Sequence, residues 1–141
     1  MGSWRVKNKG VVHTGWVQQQ LILAHGSVGY YVFHSGYSSI IEGLINDCQL
    51  VLLSFKEDQF LNSKLVSGDI RVGVEVNKRE DNGHFGKEDI MEAVKTVMVD
   101  VNKEPGVSIS ANHKKWREFL LNEEIHNQYI ADLVKELKAL A

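Results

Sequence analysis

Residues 28–43 read VGYYVFHSGYSSIIEG. The first six are β-branched and aromatic residues around one glycine, and a run without polar alternation predicts a parallel strand buried on both faces. From Ile40 the pattern changes, with Ile40, Ile41, Leu44 and Ile45 at helical spacing. The turn between strand and helix, HSGYSS, supports two readings. In the first it is a phosphate cradle: the opening turn of a helix carries unpaired N–H groups and a partial positive charge, and glycine lets a ligand approach the backbone. His34 could then donate to the phosphate, with Ser38 and Ser39 adding hydroxyl bonds. In the second it is an ordinary helix start, with Ser39 as N-cap and Glu42 as its capping-box partner. These residues alone leave both open.

Outward from this stretch the same unit repeats. Val11 and Val12, before Thr14-Gly15, form a short strand candidate, and QQQLILAHG at 18–26 has the length and composition of a short helix that stops at Gly26. QLVLL at 49–53 returns to strand character. DQFLNSKLVSG at 58–68 reads as a helix with Phe60, Leu61 and Leu65 on one side, and Asp58 is a plausible N-cap for it. In RVGVEV at 71–76 the valines alternate as in a strand. The order β-α-β-α-β-α-β predicts an α/β layered domain with about four mostly parallel strands and right-handed crossovers. Beyond the polar loop at 77–86 come a C-terminal helical segment at about 87–141 and no further strand. Its first helix carries Ile90, Val94, Val97, Met98 and Val101. A break at KEPG (103–106) precedes a helix around Ile109 to Leu121 and another from about Glu123 to the end.

A chain of 141 residues is long enough for one domain with a real core, and residues 1–141 are read as that single domain. The formal charge of -2 gives no broad electrostatic reason to expect a nucleic acid or an anionic membrane as partner, so any anion site must be local. The single cysteine, Cys48, excludes an internal disulfide framework and a multi-thiolate metal site, and it suits a reducing compartment, with the cytoplasm as default. No apolar run approaches the ~20 residues of a membrane helix. His13, His84, His113 and His126 match no motif and are expected to be solvated or satisfied locally.

From Trp16 to Gln59 the chain resembles the plant secondary product glycosyltransferase box, the signature of UDP-sugar-dependent family 1 glycosyltransferases. That box runs W-x-P-Q, then H-C-G-W-N-S-x-x-E, then D/E-Q at fixed intervals. Trp16, Gln19, His25, Gly29, His34, Gly36, Ser39, Glu42, Asp58 and Gln59 fall on its register. WVQQQLILAH and NDCQLVLL are most similar to plant enzymes that add a sugar to a flavonoid or other glycoside.

The resemblance implies a Rossmann-like part of a GT-B C-terminal domain that holds the sugar-nucleotide donor. It implies that Trp16 stacks on uracil, with backbone groups of Val17 reading the base edge. Gln19 and Glu42 would hold the ribose. His34, Gly36, Ser38 and Ser39 would form the diphosphate site, Tyr37 would line the sugar site, and Asp58 and Gln59 would hydrogen-bond sugar hydroxyls. No metal and no cofactor are implied; UDP-sugar is the donor substrate.

The chain also departs from that pattern. Gln18 and Gly26 stand where the box has proline, and Ser35, Tyr37 and Ser38 replace its Cys, Trp and Asn. Ser54 stands where a proline often ends the next strand. Donor affinity is expected to be lowered. In the family the catalytic His and its Asp lie in an N-terminal acceptor-binding domain that these residues do not include, so the chain alone is not expected to transfer sugar, and no catalytic residue is assigned. In the strand order 3-2-1-4-5-6 two strands would lie between those at Val11 and Val28. Their absence predicts a shifted sheet order or a homodimer formed through an open strand edge.

Overall fold

The computed structural model of the chain describes residues 9–79 and 83–140. Among these, three strands form one parallel sheet in chain order: β1 (Tyr30–Phe33), β2 (Gln49–Leu52) and β3 (Gly73–Glu75). The register pairs Tyr31 with Leu50 and Val51 with Val74. The described residues also form six α-helices: α1 (Gln19–Leu23), α2 (Tyr37–Ile45), α3 (Glu57–Lys64), α4 (Lys87–Met98), α5 (Gly106–Leu120) and α6 (Glu123–Ala139). A π-helical turn, Leu65–Asp69, extends α3 toward β3.

The strand expected at Val11 and Val12 does not form. Val11 is 93% exposed, and no strand pairs with it. Two apolar residues without a sheet neighbour gain neither ladder bonds nor burial, which removes the reason for a strand here. Among the described residues the sheet therefore has three strands, and the sheet order is not shifted, because β1 lies next to β2 and no described strand pairs with its other edge. That edge also corrects the expectation of burial on both faces: Phe33 is buried, whereas Tyr30 and Val32 are exposed.

The alternation of β2 builds two cores. Leu50 and Leu52 join Phe33, Ile40, Leu44, Val66 and Val72 on one face, with Trp116 and Leu120 of α5 packed against them. Val51 joins Val76, Ala93, Val97 and Ile109 on the other, where α4 lies. Successive strand residues point to opposite faces, so a four-residue strand seeds both layers. α5 spans them, its Ile109 end in one core and its Trp116 end beside the other. Gly43 sets the approach of α2 to the sheet: a Cβ there would lie 2.5 Å from Leu50 Cδ2. Gly106 sets the approach of α5 to the end of α4, where a Cβ would come within 2.9 Å of the Thr96 carbonyl oxygen.

α3 reverses its expected face. Phe60, Leu61 and Leu65 are exposed, and Gln59, Ser63 and Val66 point inward. Asp58 is not the N-cap; the helix starts after Lys56, and Asp58 sits inside its first turn. α6 begins with Asn122, whose side chain accepts from the Ile125 N–H at 3.1 Å, and buries no residue against the rest of the described chain.

Candidate functional site

The β1–α2 turn decides between the two readings of HSGYSS. Ser35 ends the strand in the left-handed region at φ 63, Gly36 is the N-cap, and the helix begins at Tyr37. Ser39 is thus the third helical residue, too late to cap, and the expected capping box does not form. No side chain caps α2. The N–H groups at its start are the kind that an anion can satisfy. His34 is exposed at this end, and a Cβ on Gly36 would lie 3.2 Å from its Nε2, so the glycine leaves room for the imidazole.

Released from capping, Ser39 and Glu42 turn toward α1. Gln19 Nε2 donates to Ser39 Oγ at 3.1 Å and to Glu42 Oε2 at 2.8 Å. Gln20 Nε2 donates to Glu42 Oε1 at 3.4 Å. Residues far apart in sequence are joined here into one polar cluster. It borders an open cleft of about 660 Å³ lined by Trp16, Val17, Gln18, Gln19, Gln20, Leu21 and Glu42. Trp16 is 83% exposed, so its indole is not part of either core. The adjoining turn is held by His13, whose ring nitrogen lies 3.3 Å from the Trp16 carbonyl oxygen. Sequence reasoning left His13 without a motif; its position three residues before Trp16 was the available signal.

The β2–α3 turn uses its polar groups differently. Gln59 is 8% exposed, and its Oε1 accepts the N–H groups of Phe55 at 2.8 Å and Lys56 at 3.1 Å. Ser54 Oγ donates to the Gln59 carbonyl at 2.9 Å and lies 3.2 Å from Ser35 Oγ, and Ser63 Oγ donates to Ser35 Oγ at 3.0 Å. Asn62 Nδ2 donates to the Ser35 carbonyl at 3.1 Å. Lys78 Nζ bonds the Ser54 carbonyl and sits over the Phe60 ring, 4.6 Å from its centroid. The turn is therefore stitched to the β1–α2 turn by buried hydroxyls. Asp58 remains exposed beside Phe55, Lys56, Glu57 and Phe60 around a shallow hollow.

Ser38 is exposed on the first turn of α2. Tyr37, expected at the sugar site, borders an apolar cavity of about 280 Å³ between α2, α3 and α5 that Trp116 and Phe119 also line. His113 lies fully buried on α5: its Nε2 is 3.0 Å from the Cys48 carbonyl, and its Nδ1 stands 3.6 Å from Asp47 Oδ1, too far for a hydrogen bond. Burial, first of all, holds this imidazole below its ordinary value, against the pull of the Cys48 carbonyl and Asp47. Among the described residues no group of three or more His, Cys, Asp or Glu side chains forms a metal site, and no helix is long and apolar enough to cross a membrane.

Residues 6–117 match the family model described as UDP-glucoronosyl and UDP-glucosyl transferase. Anthocyanidin-3-O-glucoside rhamnosyltransferase of Petunia hybrida is 63% identical over 97% of the chain, and UDP-glycosyltransferase 79A2 of Stevia rebaudiana 61% over 96%. The chain spans 29% and 30% of those relatives. UGT73P12 of Glycyrrhiza uralensis, solved with glycyrrhetinic acid 3-O-monoglucuronide, superposes with a TM-score of 0.75 at 27% identity over 96% of this chain and 30% of its own. A UDP-glucose: anthocyanidin 3-O-glucosyltransferase solved with UDP does so at 0.69 and 28% identity over 83% of this chain and 24% of its own. The three parallel strands and flanking helices match the C-terminal domain of these GT-B enzymes, the part that binds the sugar-nucleotide donor. The chain belongs to the family of UDP-glucoronosyl and UDP-glucosyl transferases.

Proposed function

We propose that this chain binds UDP or a UDP-sugar in the cleft between α1 and α2, as the donor half of an enzyme that glycosylates a small molecule such as a flavonoid glycoside. The observation that carries the reading is the 2.8 Å bond from Gln19 to Glu42 at the edge of the cleft lined by Trp16. A carboxylate held against an amide keeps lone pairs for a diol, and an exposed indole offers a face to a base. Uracil stacks on Trp16 beside the backbone of Val17. The ribose meets Gln19 and Glu42. The diphosphate lies over Gly36 at the start of α2, with His34, Ser38 and Ser39 around it. Asp58 is free to take sugar hydroxyls; Gln59 has its amide nitrogen left for them, because its oxygen serves the Phe55 and Lys56 N–H groups. Tyr37 borders the sugar from the α2 side.

The acceptor choice draws on the Petunia relative, whose name places a rhamnose on an anthocyanidin glucoside. Transfer needs a group that activates the acceptor hydroxyl, and none of the assigned residues has that role, so the chain by itself binds and does not transfer. An acceptor-binding domain supplies that base, whether on the same polypeptide or on a separate chain, and the working compartment is the cytoplasm. A second copy pairing along the open β1 edge is the further partner of this reading, and light scattering of the purified chain would read one or two copies.

Titration of the chain with UDP, followed by tryptophan fluorescence and backbone amide shifts, tests the main reading. Saturation is expected in the wild type and its loss in Trp16→Ala. No saturable change at millimolar UDP would reject it in favour of a folding or interaction module that has lost the ligand.

A further inference from the structure

We infer that Gln20 is a positioning residue for ribose recognition: its amide, with that of Gln19, fixes the plane of the Glu42 carboxylate toward the ribose diol. The inference rests on the proposed nucleotide site and adds to it a residue outside the box register. Gln19 bonds Oε2 at 2.8 Å and Gln20 bonds Oε1 at 3.4 Å, so each carboxylate oxygen has its own amide donor. Both glutamines and Glu42 line the cleft with Trp16.

A single donor on one oxygen leaves the carboxylate free to turn about its terminal torsion, which is broad and roughly two-fold. A second donor on the other oxygen removes that freedom. The two oxygens of a carboxylate offer about four lone-pair sites, so two amide bonds leave acceptor capacity for two hydroxyl donors. A cis-diol presents its two O–H groups side by side and gains most from a carboxylate whose plane is already set, because ordering that side chain no longer counts against binding. Gln19 and Gln20 are neighbours on α1 and project about 100° apart, which lets them approach the same carboxylate from two directions. Gln20 thereby acts through Glu42 and does not itself touch the nucleotide.

Two measurements on the full chain test this. In the ligand-free protein, Glu42→Gln should shift the side-chain NH₂ resonances of Gln20 as well as those of Gln19; Gln20 resonances unchanged by that substitution would overturn the clamp, whether or not any nucleotide binds. With nucleotide, the ratio of the dissociation constants for 2′-deoxy-UDP and UDP is read by calorimetry. Gln20→Ala should lower that ratio at least threefold, chiefly by weakening UDP. Gln20→Glu, which has no donor and adds a like charge, should lower it further. Gln20→Lys, which restores a donor, should recover it. An unchanged ratio in Gln20→Ala with UDP binding intact would overturn the role in recognition. Failure of the wild type to bind UDP at all would instead reject the nucleotide site, and the amide resonances would then decide the clamp.

Discussion

The turns after β1 and β2 lie side by side at the carboxyl end of one parallel sheet, yet they treat polar side chains in opposite ways. After β1, the amides of Gln19 and Gln20 hold Glu42 and Ser39 at the edge of an open cleft, where acceptor capacity is left over. After β2, Gln59, Ser54, Ser63 and Ser35 are buried and bonded to one another or to the backbone. The same residue types keep acceptor capacity where water reaches them and build structure where it does not. On the proposed reading the base and ribose end serves recognition, and the far end is chiefly architecture beside Asp58.

The sharpest way to break that contrast is at Trp16. Because the indole is outside both cores, Trp16→Ala should leave thermal stability within about 0.5 kcal/mol. It should nonetheless weaken UDP roughly tenfold or more, as loss of a base-stacking ring does at about 1–3 kcal/mol. Paired thermal melts and UDP titrations would show the split. A matching change across the sheet should give the reverse result: Gln59→Leu strips the acceptor from two N–H groups and should cost about 1–3 kcal/mol of stability. UDP without a sugar should bind Gln59→Leu nearly as well as the wild type at a temperature where both are folded. If UDP affinity collapses instead, the two turns are not separable.

A weaker lever lies at the opposite, amino end of β2, where His113 meets the Cys48 carbonyl. His113 is buried neutral, with its value held below the ordinary 6.5. The unfolded chain therefore takes up the proton first as pH falls. The stability that neutral His113 contributes is complete above about 6.5 and is lost as pH drops through the lower, folded-state value. Denaturant midpoints should fall between pH 7 and pH 5, and His113→Gln, which cannot titrate but can still donate to the Cys48 carbonyl, should flatten that slope. The smallest effect is expected at Lys64–Glu75, an ion pair of 2.9 Å with an exposed lysine at the far end of α3. Lys64→Met should change stability by less than ~1 kcal/mol and UDP binding not at all. It serves as the surface reference for the other three.

Much of this architecture was legible in the sequence. Apolar runs located β1 and β2, the alternating valines of RVGVEV located β3, and helical spacing located α2, α4, α5 and α6 near their observed ends. Periodicity reports which residues share a face; it does not report what covers that face. Val11 and Val12 have strand composition but no neighbouring strand. Phe60 and Leu61 have core composition, yet α3 turns Gln59 and Ser63 inward, where Ser63 meets the Ser35 hydroxyl and Gln59 Oε1 meets the Phe55 and Lys56 N–H groups. Ser35 and Ser54 were both noted as departures from the family pattern, standing where cysteine and proline are usual. Their contact with each other could be found only once the fold had brought the strand ends together. Ser39 and Glu42 fit a capping box by spacing alone; that Glu42 of α2 bonds to Gln19 and Gln20 of α1 instead follows from a helix that already starts at Tyr37, after the left-handed Ser35 and the N-cap Gly36.

The path of α5 carries a consequence for how the molecule comes apart. Its N-terminal half is anchored by Ile109 in the layer beneath α4, and its C-terminal half, through Trp116, in the layer beneath α2. Loosening either anchor withdraws a wall from the opposite layer. A single helix thereby ties two hydrophobic clusters into one unit, and the described fold is expected to unfold in one cooperative transition.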